Sequence, residues 1–423
     1  MTISNQYTII DGIGIVPDGA THIAGPANRH KVDTLKSIRI PSTVTEISGD
    51  AFLDCINLEE IVVEEGNPVY DSRGGCNAVV HTESNTLCVG CKTSTIPDTV
   101  ESIGKWAFYK TAIEEIIIPS SVFEIQNGAF ANCAKLKSVV LSEGLMYIYA
   151  WAFANCIKLK SVTFPESLEI ISNEVFIGCR KLETLHIPPR VEHVDSYLTS
   201  GCHNLQTITV DPDNPVYDSR ENCNAIIISS SNTLQIGCAA TRIPEGVVKI
   251  ACGAFASLDG LEDIVIPESV LDIEELAFHG NNNLEEVVIC GPLKHLRQSA
   301  FSACESLKRL YLPMGIKKIS ATFDDCNLKE ISVPLGKVEY YKRRLHESLH
   351  TLIVENFEIP DVPFDIVMNL IIPGPITETK RKWLMRQREA CKRRCEQFEV
   401  TVVSPEEYLD KYGELPPEDF YLG

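Results

Sequence analysis

The chain contains no run of about 20 apolar residues, the length a helix needs to cross a bilayer, so it encodes no such span. Basic residues are few beside acidic ones: 38 Lys and Arg stand against 58 Asp and Glu, for a net charge of −20. A surface of that sign repels phosphates instead of displacing their counterions, which argues against nucleic acid as a partner. No Lys or Arg precedes Arg29, and Asp11 and Gly12 interrupt the apolar stretch ahead of it. A secretion leader is not recognisable, and on that ground alone the expected compartment is the cytoplasm. Catalytic signatures are missing too: there is no G-x-S-x-G elbow, no phosphate-binding glycine loop and no H-E-x-x-H. The ten His are scattered, with His186 and His350 at strand positions and none spaced for a metal or a triad. The expectation is a protein without cofactor, metal or enzyme activity.

What the sequence does have is repetition. A motif of the form Leu-x-x-Ile-x-Ile opens at Leu35, Leu58, Ile113, Leu136, Leu159, Leu182, Leu205, Leu261, Leu284, Leu307, Leu328 and Leu349. Most successive copies lie 23 residues apart, a period that marks a leucine-rich solenoid. Alternation in the second half of the motif predicts a strand. Pro41, Pro119, Pro165, Pro188, Pro267 and Pro313 should end it, since Pro lacks the N–H that extends a ladder. A Val-x-x-Ile step, an Ala-Phe pair and a Cys three residues after the Phe complete the repeat, as in Ala152, Phe153 and Cys156. Phe52, Phe108, Phe130, Phe153, Phe176, Phe255, Phe278, Phe301 and Phe323 should stack as an internal spine.

Two intervals are stretched to 55 and 56 residues by the same insertion. The run from Asn67 to Arg73, with Cys76, Asn77 and Ala78, recurs 147 residues later from Asn214 to Arg220, with Cys223, Asn224 and Ala225. Each is expected to be an elongated coil containing a hairpin, near residues 66–97 and 211–244. Residues 1–34 hold a worn copy that should cap the open end of the core. The period stops after Glu355. Residues 356–423 are expected to form a small α/β appendage. It would comprise an irregular connection through Ile371 and Ile372, a helix from Thr377 to about Phe398, a strand from Val400 and a short helix opened by Ser404 and Pro405. An acidic tail follows. The fold class is a β-rich solenoid of leucine-rich repeats over residues 35–355, flanked by that cap and that appendage.

Sixteen cysteines resemble a disulfide framework until they are placed on the repeat. Cys55, Cys133, Cys156, Cys179, Cys202, Cys304 and Cys326 occupy one slot, which Asn281, Thr111 and Leu258 fill in other copies. A slot that accepts Cys, Asn and Thr calls for a small side chain that hydrogen-bonds a buried turn, so these thiols are expected buried and reduced. Cys88 and Cys91 have metal-like spacing but lack the further ligands of a closed site. Cys391 and Cys395 are expected on one helix face, packed against the solenoid end, the alternatives being metal ligands or a disulfide latch. Asp211, Asp213, Asn214 and Asp218 are calcium-friendly oxygens that also suit solvated turns.

The run of Ile-Pro, Val-x-x-Ile, Ala-Phe-x-x-Cys-x-x-Leu resembles the BspA-like leucine-rich-repeat family, and the doubled Asn-Pro-Val-Tyr-Asp-Ser-Arg block resembles an elongated coil of its members. The resemblance covers roughly residues 13–355. It implies adhesion or protein binding, and a cell-surface or secreted location in contrast to the missing leader.

Binding is expected on the strand face. The first, fourth and sixth residues of the motif point inward, so the third and fifth face solvent on a sheet lining the concave side. The third position carries Glu60, Glu115, Asp263, Glu286 and Glu330 among Ser and Thr; the fifth is Val or Ile in half the copies. Such β-branched residues stabilise a ladder by cross-strand pairing, at roughly 0.2–1 kcal/mol per pair. The competing account is an apolar stripe flanked by carboxylates, matched to a basic, partly apolar segment of a protein partner. Val62, Ile117 and Val140 would form one cluster, and Val265, Val288 and Tyr311 a second. The segment from Lys380 to Arg394 carries eight basic residues against Glu389. With Trp383 and Leu384 it forms a basic amphipathic helix that can meet an acidic partner or anionic lipid, or cap the acidic solenoid. The function expected is non-catalytic recognition of a protein or glycan; the alternative is an intracellular scaffold with no single high-affinity ligand.

Overall fold

The computed structural model describes residues 5–310 with side chains, Cys326, and the backbone of the later strands Arg309–Tyr311, Lys318–Ile319, Glu330–Val333, Thr351–Val354, Asn369–Pro373 and Glu399–Val403. Phe323, Cys391, Cys395 and the basic segment from Lys380 to Arg394 lie outside the described residues. The chain is a β-solenoid built of two compact units. The first comprises Met1–Ser230 and Gln235–Thr241, the second Ser231–Leu234 and Arg242–Gly423.

Each regular coil is made the same way. A four-residue strand from the Leu-x-x-Ile-x-Ile motif alternates exposed and buried residues, as in Glu115–Ile118, Ser138–Leu141, Thr184–Ile187 and Asp263–Ile266. The Pro that follows is also a turn residue. Its carbonyl accepts the N–H of the residue three positions on, at 3.1 Å from Val44 to Pro41, 3.1 Å from Val122 to Pro119 and 3.1 Å from Val270 to Pro267. That closes a turn and delivers the Val side chain to the core. Two-residue strands then form at the Ile of the Val-x-x-Ile step and pair in parallel from coil to coil. Ser102–Ile103, Glu124–Ile125, Tyr147–Ile148, Ile170–Ile171 and His193–Val194 do so in the first unit. The Ala-Phe segment is a third hydrogen-bonded wall: Phe108 N–H reaches Ala129 O at 2.7 Å, and Phe130 N–H reaches Ala152 O at 2.8 Å. Among the described residues the only helical segments are three 3-10 turns.

The first unit opens with an antiparallel hairpin of Gln6–Ile10 and Ile13–Ile15, turned at Asp11 and Gly12 with positive φ at both. It buries Tyr7 and Ile9 over the first coil. The strand Ile13–Ile15 pairs in parallel with Ser37–Ile40, which pairs with Glu60–Val63. In the second unit, Asp263–Ile266, Glu286–Ile289, Arg309–Tyr311, Glu330–Val333 and Thr351–Val354 form one parallel ladder in unbroken register. The ladder continues through Asn369–Pro373 and Glu399–Val403. Ile371 and Ile372, expected in an irregular connection, are thus strand residues: two β-branched side chains in a row suit an extended, paired backbone.

The Phe stack differs from a single spine. In the first unit Phe108, Phe130, Phe153 and Phe176 stack nearly parallel, with ring centroids 4.8, 5.3 and 5.8 Å apart. Phe52 stacks separately on Tyr7 at 5.7 Å. Within the second unit Phe255, Phe278 and Phe301 stack at 4.9 and 5.0 Å. The first elongated coil interrupts the stack because it presents Gly90 where a Phe would stand. A Cβ there would lie 2.2 Å from the Phe108 ring. Each buried Phe contributes roughly 1.5–3 kcal/mol, so the stacks supply much of the cohesion between coils.

Candidate binding surface

In the described strands the third and fifth motif positions turn toward solvent, as the strand pleat requires. Glu115 and Ile117 are exposed on one strand and Asp263 and Val265 on another, with Ile117 64 % and Val265 56 % accessible. Val62, Val288 and Glu286 are half-buried, and Glu60 is exposed.

Register decides which of these residues meet. Ile117 pairs with Val140, and Val140 bridges to Thr163, so two large apolar side chains adjoin and the stripe then turns polar. Val62 is not beside them. It pairs with Arg39, and its strand ends the sheet, because side chains of the elongated coil take the next backbone donors. Asn77 Oδ1 accepts Ile61 N–H at 2.8 Å and Ser72 Oγ accepts Val63 N–H at 3.0 Å. In the second unit Val265, Val288 and Tyr311 are consecutive in register, and Asp263, Glu286, Arg309 and Glu330 run beside them. Arg309 breaks the acidic column and pairs with Glu286. Lys308 Nζ lies 2.8 Å from Glu285 Oε1, a hydrogen bond that holds the Glu285 carboxyl below its usual range. Here the surface dips into a shallow depression of about 320 Å³ lined by Glu262, Asp263, Val265, Glu286, Val288 and Arg309.

The slot cysteines are buried, and each described thiol is free of a disulfide. Most of the thiols reach back one coil to a Phe carbonyl, Cys133 to Phe108 at 3.0 Å, Cys156 to Phe130 at 3.2 Å, Cys179 to Phe153 at 3.1 Å and Cys304 to Phe278 at 3.2 Å, whereas Cys55 meets the Tyr7 hydroxyl at 3.6 Å. Asn281 does the same with an amide, donating to Phe255 O at 2.8 Å and to Phe278 O at 2.7 Å. Burial pushes the Cys133 thiol up to about 12, far from the thiolate that reacts or binds metal. Cys88 is half-buried, Cys91 is buried, and both contact backbone carbonyls.

The polar residues of the elongated coils are engaged in building them. Asn67 Nδ2 donates to Pro41 O at 3.0 Å and Val44 O at 2.8 Å, and Asn214 repeats this with Pro188 O and Val191 O at 2.9 and 3.0 Å. Asp71 accepts Arg73 Nε at 2.8 Å, as Asp218 accepts Arg220 Nε at 2.8 Å. Asp211 Oδ1 accepts the Asp213 N–H at 2.9 Å. Among the described residues no three His, Cys, Asp or Glu converge as a metal site, and no helix is long and apolar enough to cross a membrane.

Two features escaped the sequence reading. Arg309 sits at a third motif position, and its place is visible once the twelve copies are aligned. The other is a column of residues two positions before the Phe, whose backbone is left-handed: Trp106, Gly128, Trp151, Glu174 and Tyr197, with φ between 57° and 64°. Their near-equal spacing is plain in the sequence, but the backbone conformation is not.

The model of the BspA type leucine rich repeat region matches six copies, over residues 26–72, 84–206 and 235–350. A leucine rich cell surface protein of Faecalibacterium prausnitzii has a similar structure, at 21 % identity, covering 90 % of this chain and 90 % of that one, with a TM-score of 0.43. The pneumococcal vaccine antigen PcpA gives 18 % identity, 87 % and 79 % coverage and a TM-score of 0.48. A leucine-rich repeat protein from Bacteroides ovatus gives 21 % identity, 79 % and 88 % coverage and 0.40. No curated protein matches the chain significantly. With the matched segments spanning most of its length and repeating the motif from which its coils are built, the chain belongs to the BspA type leucine-rich-repeat family.

Proposed function

We propose that the chain is a non-catalytic recognition module of the adhesion type, which binds a protein partner through the strand face of its second unit. The observation that carries this reading is the depression in which exposed Val265 and half-buried Val288 are adjacent in register and flanked by Asp263 and Glu262. Neighbouring Glu285 and Glu286 already have Lys308 and Arg309 as partners. Asp263 and Glu262 have no cation within ion-pair distance among the described residues, so their charge is available to a ligand. A Lys or Arg next to an apolar side chain is the complementary group. Membership of a repeat family whose coils present long one-sided surfaces supports the same reading.

The paired substitution Val265→Thr with Val288→Thr tests it. Thr keeps the β-branch and strand propensity while removing the apolar contact. The expected outcome is an unchanged melting temperature with loss of the proteins captured stoichiometrically by the immobilised wild type. Capture that survives this change, and also survives Asp263→Lys, rejects the surface.

A further inference from the structure

We propose that the left-handed turn column of the first unit is a ledge for a neutral, extended β-1,4-linked polysaccharide, carried by Trp106, Trp151 and Tyr197. This surface is separate from the strand face, and the inference does not depend on the reading above.

The column has a strict alternation. Aromatic residues stand in every second coil, at 106, 151 and 197, and Gly128 and Glu174 occupy the coils between. The backbone ladder fixes their order: Trp106 N–H bonds Asn127 O at 3.1 Å, Gly128 N–H bonds Ala150 O at 2.9 Å, and Trp151 N–H bonds Asn173 O at 3.3 Å. The intervening residues serve the rings. A Cβ on Gly128 would lie 2.1 Å from the Trp106 ring, so the indole rests in the space that Gly leaves. Glu174 Oε2 accepts the Trp151 indole N–H at 2.5 Å and holds that ring over the next coil. Trp106 and Trp151 are nevertheless 36 % and 38 % accessible, and Tyr197 is half-buried.

The rings also sit on a backbone conformation that does not call for them. Positive φ disfavours bulky L residues and suits Gly and Asn. The companion turn two positions after the Phe has the same conformation and is mostly filled by residues that suit it, Asp54, Asn132, Asn155, Gly178 and Gly201, with Lys110 the exception. Trp and Tyr in the first column bear a cost that Asn would avoid, while exposing apolar rings to water.

Spacing selects the ligand. The nearby Phe rings advance 4.8 and 5.3 Å per coil, so two coils advance about 10 Å, as parallel strand spacing requires. In an extended β-1,4-linked chain every second pyranose presents the same face, and the rise of two sugars is close to that distance. The C–H face of a pyranose stacks on the electron-rich face of an indole for the same reason that cations do. Curled α-linked glucans lose this register. The net charge of −20 disfavours polyanionic chains. The ledge ends beside a cavity of about 230 Å³ lined by Phe52, Thr86, Lys105, Trp106, Tyr109 and Gln126, whose hydroxyl, ammonium and amide groups are suited to the hydroxyls of a terminal sugar.

Titration calorimetry of the full chain with cellohexaose, xylohexaose, chitohexaose and maltohexaose tests the assignment. At least one β-1,4-linked hexaose should bind, and maltohexaose should not. Trp151→Asn should weaken binding roughly tenfold, the loss of one stacked ring, with the melting temperature unchanged or raised because Asn accepts positive φ. The double variant Trp106→Asn with Trp151→Asn should abolish binding, and Val265→Thr with Val288→Thr should leave it intact. The proposal is overturned if no β-linked hexaose binds at millimolar concentration, if maltohexaose binds equally, or if Trp151→Asn binds as the wild type does. It is equally overturned if Trp151→Asn lowers the melting temperature, since the ring would then be structural.

Discussion

The two units are built on the same interior plan and differ in what they show to solvent. Both stack Phe rings about 5 Å apart, and both return a slot side chain to a Phe carbonyl of the preceding coil. Outside, they diverge. The second unit has a strand ladder in continuous register from Asp263 to Val403 and a depression on it, whereas the first unit's strand face breaks at Glu60–Val63 and is reduced to single bridges at Ser161 and Thr163. The left-handed turn column is aromatic in alternate coils of the first unit, but it holds Gly253, Leu276 and Ser299 in the second. A repeat sequence therefore constrains buried positions by stacking and leaves the strand and turn positions free to specialise coil by coil.

The comparison breaks most sharply at the Phe stacks. Phe153→Ala removes a ring held between two others and should cost about 3–5 kcal/mol. Hydrogen exchange should show protection lost across the first unit and retained in strands 263–266 and 286–289. Phe278→Ala should do the reverse. Loss across both units in either variant would mean that they unfold as one cooperative block.

Smaller effects sharpen it. Gly90→Ala places a methyl group against Phe108, and overpacking of that kind costs about 1–3 kcal/mol, read as a lower denaturation midpoint with first-unit signals affected. Asn281→Ala should cost about 1–3 kcal/mol, since the buried Phe255 carbonyl loses its donor and the Leu258 N–H its acceptor, while Phe278 O keeps only the Cys304 thiol. Cys179→Ala should cost less, because a thiol is the weaker donor. Equal costs for the two would mean that the slot is filled for packing and not for its hydrogen bond.

Much of this was legible in the chain. The period, the strand pleat, the turn after each Pro and the hydrogen-bonding character of the Cys slot all follow from residues repeating at fixed spacing. The breaks were harder to see. The Phe stack stops at Gly90 because the elongated coil brings a different segment into the slot, which depends on how the hairpin folds back and not on any local pattern. For the same reason Val62 is parted from Ile117: the side chains of Ser72 and Asn77 cap its strand. The strands at Asn369–Pro373 and Glu399–Val403 lie beyond the repeat and are recognised only by their pairing. The aromatic turn column was missed because a positive φ at Trp or Tyr runs against residue preference, so no propensity argument finds it.

The smallest difference expected between the units is their response to acid. The Asp–Arg pairs of the elongated coils, Asp71 with Arg73 and Asp218 with Arg220, both lie in the first unit. Burial alone would raise the two carboxyls, but hydrogen bonds from Arg73 and Thr82, and from Arg220 and Ser229, outweigh it and hold both below their ordinary range. A carboxyl depressed in the folded state contributes stability that is fully present above its unfolded value, about 3.9, and is lost as pH falls through the folded value. The side chains are about a third exposed, so each pair should contribute no more than about 1 kcal/mol. Between pH 5 and pH 2 the first unit should lose stability faster than the second, and the double variant Asp71→Asn with Asp218→Asn should remove that excess while lowering stability at pH 7. Thermal melts followed by hydrogen exchange at the two pH values would read it. An excess that persists in the double variant would place the acid response in other carboxylates of the first unit.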